Sequence, residues 1–502
     1  MFGGDEDLRF RINAFDWNSQ TRGFGRLFDE HKGFDCIIGN PPYIRVQELK
    51  KWANEECEFY RIQYKSAAKG NYDIYVVFIE KGLQLLTPDG VLGFICPHKF
   101  WQATYGQGIR KIVSTGKYIR SIIDFSDQQV FRGATTYTAI HIFSNTPNEA
   151  MVDYSRIIKL YDGETQCRML DSHRTLRSAD ILKWDAVHPI QGDGMWSFLE
   201  SGTTTISSCP ETDCFPLSEL VNFSQGFKTG ADKVFVVELI REKDSIATIY
   251  SEATGREHEI ESHLLRPLIK SEHMRRFEIC PTTLRLIFPY LVKNDTWRIL
   301  EPEELSKECP KLWSGYLSLL RPALNKRESG RFEGNYFYQY SRQQNFVPLT
   351  KPKLITPDMA DRMRFCFDAK GQFVFSGGAA GGVCVIPKEE NDPLFIIGVL
   401  NSNLIEKYLR QKNGAGFRGG YLNCEIRFLR DIPILVARSA SQKKHASQIS
   451  SYVEKIIKTK TKVQNNKLSD REQERFEREI EANESRIDEL VCELYGVDKI
   501  PD

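Results

Sequence analysis

Apolar and polar positions alternate in blocks along this chain, and the first sharply bounded block is FDCIIG at residues 34–39. Ile37 and Ile38 are β-branched and Gly39 ends the run, which predicts a short buried strand. Asn40, Pro41, Pro42 and Tyr43 follow directly. Two prolines fix φ and remove two N–H donors, so residues 40–43 are expected to form a stiff loop at the carboxyl end of that strand. In open α/β sheets this is the end at which ligands bind. Downstream, NYDIYVVFIEKGLQLL sets Ile74, Val77, Phe78 and Leu85 at helical spacing ahead of a TPDG turn. VLGFIC reads as a second buried strand, a helix is expected around Gly108 to Ser114, and YIRSIIDF and YTAIHIF read as two more strands. RFRINAF, ahead of all of these, is expected to be a short strand. The alternation predicts an α/β, doubly wound sheet for residues 1–148.

From 149 to about 435 the pattern changes. KVFVVEL, LRLIFPY, PKLITPD, QFVFSG and GVCVIP are strand-like, and LFIIGVLNSNLIEKYLRQ reads as one late helix. The loops between them are rich in glycine, proline and charge, which predicts an α+β domain with a binding surface made of loops. Residues 436–502 are expected to form a helical hairpin. Ser469 and Glu472 make a capping box, and Gly496 is placed to end the last helix. Ile480, Ile487, Leu490, Val491 and Leu494 share one face, expected to pack on the body of the protein.

Composition narrows the class. A chain of 502 residues predicts two or three domains. Its net charge is only +1, so a surface for nucleic acid must be local. Lys270, Arg275 and Arg276 form one candidate cluster, and Arg321, Lys326, Arg327 and Arg331 another. No apolar run is long enough to cross a bilayer. The 12 cysteines include no CxxC pair and no zinc-finger spacing, so reduced structural thiols in a reducing cytoplasm and no metal are expected.

The loop at 40–43 has chemistry of its own. A planar, conjugated amine is a poor nucleophile because its lone pair is delocalised. A site that accepts both of its N–H bonds favours a pyramidal nitrogen and frees that pair. The Asn40 side-chain oxygen and the Pro41 carbonyl can be those acceptors, Pro41 and Pro42 hold them rigid, and Tyr43 can stack on a planar base.

FDxxIGNPPY resembles the catalytic motif of S-adenosylmethionine-dependent amino-methyltransferases, in particular the gamma-order adenine-specific DNA methyltransferases and the methylase parts of type IIG restriction–modification enzymes. INAFDWNSQ, VFIEKGLQLLTPDGVLGFICPHKFW and QQVFRGATTYTAIHIF resemble segments around that motif. VNFSQGFKTGADKVFVV, LLRPLIKSEHMRRF and KPKLITPDMADRMRFCFD resemble the family's target-recognition domain, and NGAGFRGGYLNCEIRFLRDIPI its closing segment. The resemblance implies a partial methyltransferase sheet over 1–148, a target-recognition domain over 149–435 and the C-terminal helices. It implies S-adenosyl-L-methionine as cofactor, double-stranded DNA as partner and base flipping, in a prokaryotic cytoplasm. By motif match, Asn40 and Pro41 accept the adenine amine, Pro42 stiffens the loop, Tyr43 stacks on the base and Phe131 packs on its far face. Phe15, Asp16 and Asn40 are expected near the cofactor.

The family's glycine-rich cofactor loop lies further ahead of the catalytic motif than the 39 residues preceding Asn40 allow. The one substitute, Gly23 and Gly25 in RGFGR, follows no strand. The strand at 34–39 is therefore expected to have a bare edge and the chain to be the C-terminal portion of a larger enzyme, truncated or joined by an N-terminal methyltransferase or nuclease subunit. Two other readings stand beside this one: a non-catalytic DNA-recognition subunit or remnant, and a protein glutamine or RNA methyltransferase. Lys228, Arg342 and Arg418 are candidate base readers.

Overall fold

The protein is described from a computed structural model that covers residues 12, 15–125, 130–131, 137–149, 151–157, 181–186, 194, 196, 198, 213–377, 381–413, 421–466 and 468–497. It forms two compact units, Met1–Thr203 with Gln411–Gly420, and Thr204–Arg410 with Tyr421–Asp502. Most of RFRINAF and Arg418 lie outside the described residues.

The first unit is built on strands β1 (Phe34–Gly39), β2 (Leu86–Pro97), β3 (Ile119–Asp124), β4 (Thr138–Ser144), β5 (Val152–Ile157) and β6 (Ile181–Ala186). Helices α1 (Asn54–Gln63), α2 (Tyr75–Leu85) and α3 (Gln107–Thr115) connect the early strands. The sheet order is β1-β2-β4-β3-β5-β6, so it continues past residue 148. β1 and β2 are parallel, and β4 runs antiparallel between β2 and β3. Cys96 at the end of β2 and Asp124 at the end of β3 both face Ala139, and Gly39 pairs with Phe94. The carboxyl ends of β1, β2 and β3 therefore share one edge of the sheet.

Three local features differ from the sequence pattern. β1, expected to be a buried strand, has no buried residue, and its Ile38 is 85% exposed. TPDG does not stand as a turn ahead of the strand: it lies inside β2, in an irregularity where Phe34 pairs with Leu86 but Cys36 with Val91. Phe78, on the expected apolar face of α2, is 40% exposed while Val77 and Leu85 are buried.

In the second unit, strands β8 (Val236–Lys243), β9 (Ile246–Ser251), β10 (Arg256–Glu261), β11 (Leu265–Ile269), β12 (Leu284–Ile287) and β15 (Val374–Phe375) make a sheet in the order β10-β9-β8-β12-β11-β15. A second sheet holds β7 (Val221–Gln225), β13 (Lys353–Pro357), β14 (Cys366–Asp368) and β16 (Gly382–Pro387) in the order β14-β13-β16-β7. The expected late helix is two, α4 (Pro393–Leu400) and α5 (Asn403–Asn413). Asn401 breaks it: its buried amide accepts from Phe365 N at 2.7 Å and donates to Phe365 O at 2.9 Å, a competitor for helical geometry. The C-terminal helices α6 (Ala440–Asn465) and α7 (Asp470–Tyr495) pack as expected, with Ile487, Leu490, Val491 and Leu494 in one core with Ile396 and Leu400. Cys214 is disulfide-bonded, in contrast to the reduced thiols expected, whereas nine other described cysteines are free.

Candidate functional site

Beyond Gly39 the chain leaves the sheet because Pro41 and Pro42 cannot extend the ladder. The resulting loop divides its residues between solvent and interior. Asn40 and Pro42 are exposed, Pro41 is buried and Tyr43 is half-buried. Tyr43 fastens the far end of the loop: its hydroxyl donates to Ile95 O in β2 at 3.0 Å. Burial, then the nearby Cys96 thiol, pushes the Tyr43 phenol up to about 12. Its ring meets Tyr75 edge-on, with centroids 6.4 Å apart. Behind it Tyr105 donates to Asp73 at 3.1 Å, which leaves the Tyr105 oxygen to accept from Tyr75 at 2.6 Å.

Asn40, Pro41 and Pro42 line a cavity of about 720 Å³ with Phe15, Phe59, Tyr64, Phe78 and Phe94 among its apolar walls. Among the described residues, its lining holds one carboxylate, Glu56, and one ammonium, Lys81. Glu56 accepts the Tyr60 hydroxyl. Burial pulls Lys81 below the usual lysine range, and its ammonium lies 5.9 Å over the Trp17 ring.

Of the residues singled out in the sequence, Phe15, Asn40, Pro41 and Pro42 meet at this cavity. Asp16 is not among its lining residues; its Oδ1 accepts from Asn18 N at 3.1 Å within its own turn. Tyr43 and Phe131 face each other outside the cavity lining, their ring centroids 6.2 Å apart and tilted by 59°. A planar ring entering between them must part them. Gly23 and Gly25 have a packing role: a Cβ there would fall 2.0 Å from Asp16 O and 2.3 Å from Asn18 O.

One buried group was missed by sequence reasoning. His98, directly after β2, stacks on Trp101 with ring centroids 4.4 Å apart, and its Nε2 lies 3.5 Å from Asp124 Oδ1. That is too long for a hydrogen bond, and among the described residues His98 Nε2 has no hydrogen-bond partner. Tyr154 donates its hydroxyl to the same carboxylate. Burial pulls the His98 imidazole below its usual range despite the Asp124 charge. The signal available in the sequence was a histidine closing an apolar strand in ICPHKFW.

The basic clusters of the second unit separate into structural and exposed members. Arg276 is buried, bonded to Asn401 O and paired with Glu484 at 2.8 Å. Arg327 donates to Leu324 O, Thr229 O and Phe337 O. Lys228, Lys270, Arg275, Arg321, Lys326, Arg331 and Arg342 are exposed, and Arg331 and Arg342 both pair with Glu328. Glu328 and Ser329 hold φ of 44° and 60°, a left-handed backbone.

Among the described residues, no helix is long and apolar enough to cross a membrane, and no group of three acidic, histidine or cysteine side chains is arranged to hold a metal ion.

Residues 2–131 match the Eco57I restriction-modification methylase family. The chain is 27% identical to the type II restriction enzyme and methyltransferase RM.Eco57I of Escherichia coli, over 98% of its own length and 48% of that protein. It is 25% identical to the type II methyltransferase M.BstVI of Geobacillus stearothermophilus, over 65% of this chain and 55% of the relative. The chain thus spans about half the length of these two curated relatives. A solved structure of the type IIL restriction-modification enzyme MmeI in complex with DNA has a similar fold, with a TM-score of 0.58 at 14% identity, over 95% of this chain and 56% of that one. The resemblance to restriction–modification methylases, and the mixed α/β fold with C-terminal helices, therefore hold.

Proposed function

From a chain that is similar to type II methyltransferases of restriction–modification systems, we propose a part of a site-specific DNA adenine methyltransferase that uses S-adenosyl-L-methionine in a prokaryotic cytoplasm. The first unit, which carries the sheet past residue 148 through β6, would be the later part of the methyltransferase domain, the second unit up to about residue 435 the target-recognition domain and 436–502 a supporting helical hairpin. The observation that carries this reading is the exposure of Asn40, at the carboxyl end of β1, beside a cavity of about 720 Å³.

The Asn40 side-chain oxygen and the Pro41 carbonyl accept the two N–H bonds of an extruded adenine amine. Pro41, buried, cannot swing away, so the acceptors need no reorganisation as the nitrogen becomes pyramidal. Tyr43 and Phe131 separate to take the base between them, and the bond from Tyr43 to Ile95 O holds one wall while the other moves. S-Adenosylmethionine, when bound, supplies the methyl group. The apolar walls around Phe15 and Phe78 suit the adenosine ring. The polar end of the cofactor finds little here, because Glu56 is engaged with Tyr60.

The test is transfer of labelled methyl into unmethylated duplex DNA, with the product digested to nucleosides. N6-methyladenine is expected. Asn40→Ala should lower its formation by about 10²–10³-fold, as loss of one preset hydrogen-bond partner does elsewhere, and leave duplex binding unchanged. Label in protein glutamine or in RNA, with none in DNA, would overturn the reading.

A further inference from the structure

The far end of the loop at 40–43 is clipped to a second stretch of backbone. Ile74 N donates to Ile44 O and Val46 N to Tyr72 O, each at 2.9 Å, and Arg45 and Asp73 form an antiparallel bridge. Asp73 therefore sits between the two backbone bonds of the clip, and its side chain starts a path back to the same loop. Its Oδ2 accepts from the Tyr105 hydroxyl at 3.1 Å, and the Tyr105 oxygen is 2.6 Å from the Tyr75 hydroxyl. The Tyr75 ring then meets the Tyr43 ring edge-on. Backbone and side chains close a circuit from Tyr43 through the clip, Asp73, Tyr105 and Tyr75 to Tyr43 again. The protons in it run one way. A carboxylate only accepts, so Tyr105 commits its one proton to Asp73, and Tyr75 donates to Tyr105. Burial and then Tyr105 push the Tyr75 phenol far up, and burial and then Asp73 do the same for Tyr105, so both protons stay in place.

We propose that Asp73, Tyr105 and Tyr75 are positioning residues that hold the Tyr43 ring at the angle at which it receives an extruded base. What Tyr43 receives rests on the function proposed above. The need for such a device follows from the side chain itself. The bond to Ile95 O fixes the hydroxyl end of Tyr43 and the clip fixes its backbone end. Two fixed ends leave the ring free to turn about the line that joins them. The edge of Tyr75 opposes that turn, and Tyr75 is kept in place by Tyr105 and, through it, by Asp73. A stacking face turned out of the plane of the base loses overlap and misdirects the amine. Asp73, Tyr75 and Tyr105 are not among the lining residues of the cavity, so they reach the site through Tyr43. Packing alone does not call for this chemistry. Phenylalanine at 75 and 105 would fill the same space, and a matched set of apolar groups is about as stable as a buried hydrogen-bonded one.

The test measures kcat and KM separately for transfer of labelled methyl by the full chain into unmethylated duplex DNA. Tyr105→Phe should lower kcat about 10–10²-fold and leave KM for DNA within about 2-fold, because alignment is lost and the grip on the duplex is not. Asp73→Ala should do the same. Asp73→Asn keeps an oxygen for the Tyr105 proton and should return kcat to within about 3-fold of the parent. Tyr105→Phe combined with Asp73→Ala should be no slower than either alone, since both break the same circuit. A second measurement needs neither DNA nor methyl donor. Amide exchange at Val46 and Ile74 should quicken about 10-fold in Tyr105→Phe and in Asp73→Ala but not in Asp73→Asn, while Ile140 in β4 exchanges as before. Unchanged kcat in Tyr105→Phe, or Asp73→Asn as slow as Asp73→Ala, would overturn the proposal. So would unchanged exchange at Val46 and Ile74, which decides the matter even for a chain that transfers no methyl. A parent chain without transfer is a failure of the proposed function, whereas a fully active Tyr105→Phe is a failure of this proposal alone.

Discussion

A single hydroxyl ties the loop at 40–43 to the sheet. Tyr43→Phe keeps the ring and removes the bond to Ile95 O, so the first unit should lose about 0.5–1.5 kcal/mol in urea unfolding while the loop keeps its course. In the second unit the decisive pair is Lys353 with Asp368, 2.7 Å apart and both fully buried. Asp368 also accepts from Gln372 N and Phe373 N, and Lys353 donates to Leu349 O as well. Asp368→Ala strands a buried ammonium and two backbone donors, and about 3–5 kcal/mol should go from the unfolding free energy of that unit. Replacing both partners, by Lys353→Met with Asp368→Leu, should restore most of the loss. If the double variant were as unstable as the single one, the pair would be acting through its backbone bonds and not through its charge.

At the scale of elements, close packing sets the tolerances. Gly398 in α4 lies against α6: a Cβ there would fall 2.5 Å from Ile449 Cγ2 and 3.1 Å from Val453 Cγ2. Gly398→Ala therefore gains helix propensity but overpacks the contact. A net loss of about 1–3 kcal/mol is expected in denaturant unfolding. The same elements show what a sequence discloses. β1, α2, β2 and the two C-terminal helices were legible because their signals are local: a short β-branched run, a helical stripe, the box at Ser469 and Glu472, and Gly496 at φ 66°. The loop at 40–43 was legible for the same reason, since two adjacent prolines leave little choice. What stayed hidden depends on distant partners. Asn401 breaks a helix because Phe365, 36 residues earlier, claims its amide. Arg276 looked like a surface cation and is tied to Glu484. Phe78 sits on an apolar stripe yet faces a cavity, which no periodicity can announce.

Across the whole molecule, the two units bury charge in different ways, and acid should tell them apart. The second unit holds fixed ion pairs such as Lys353–Asp368 and Arg276–Glu484. Among the described residues, the first holds two buried imidazoles. His141 is pulled down to about 3, mainly by burial and then by His98, and its Nε2 accepts from Trp101 Nε1 at 3.1 Å, an acceptor role that protonation would destroy. His98 is also pulled down, mainly by burial. A histidine lowered by folding stays neutral in the folded unit while the unfolded chain takes up a proton. The stability it contributes is complete above the unfolded value of ~6.5 and is lost as pH falls below it, by up to ~1.4 kcal/mol per pH unit for each ring. For His141 that loss continues towards about 3. His258 in the second unit is lowered too, by burial and then by Arg256, but it is only half-buried and contributes less. Between pH 7 and 5, then, amide exchange corrected for its intrinsic rate should accelerate in β2, β3 and β4 while α6 and α7 keep their protection. His141→Gln should flatten the acid slope of the first unit and leave the second unchanged. Loss of protection in α6 and α7 first, or in both units together, would show that the buried imidazoles are not what makes the first unit acid-sensitive.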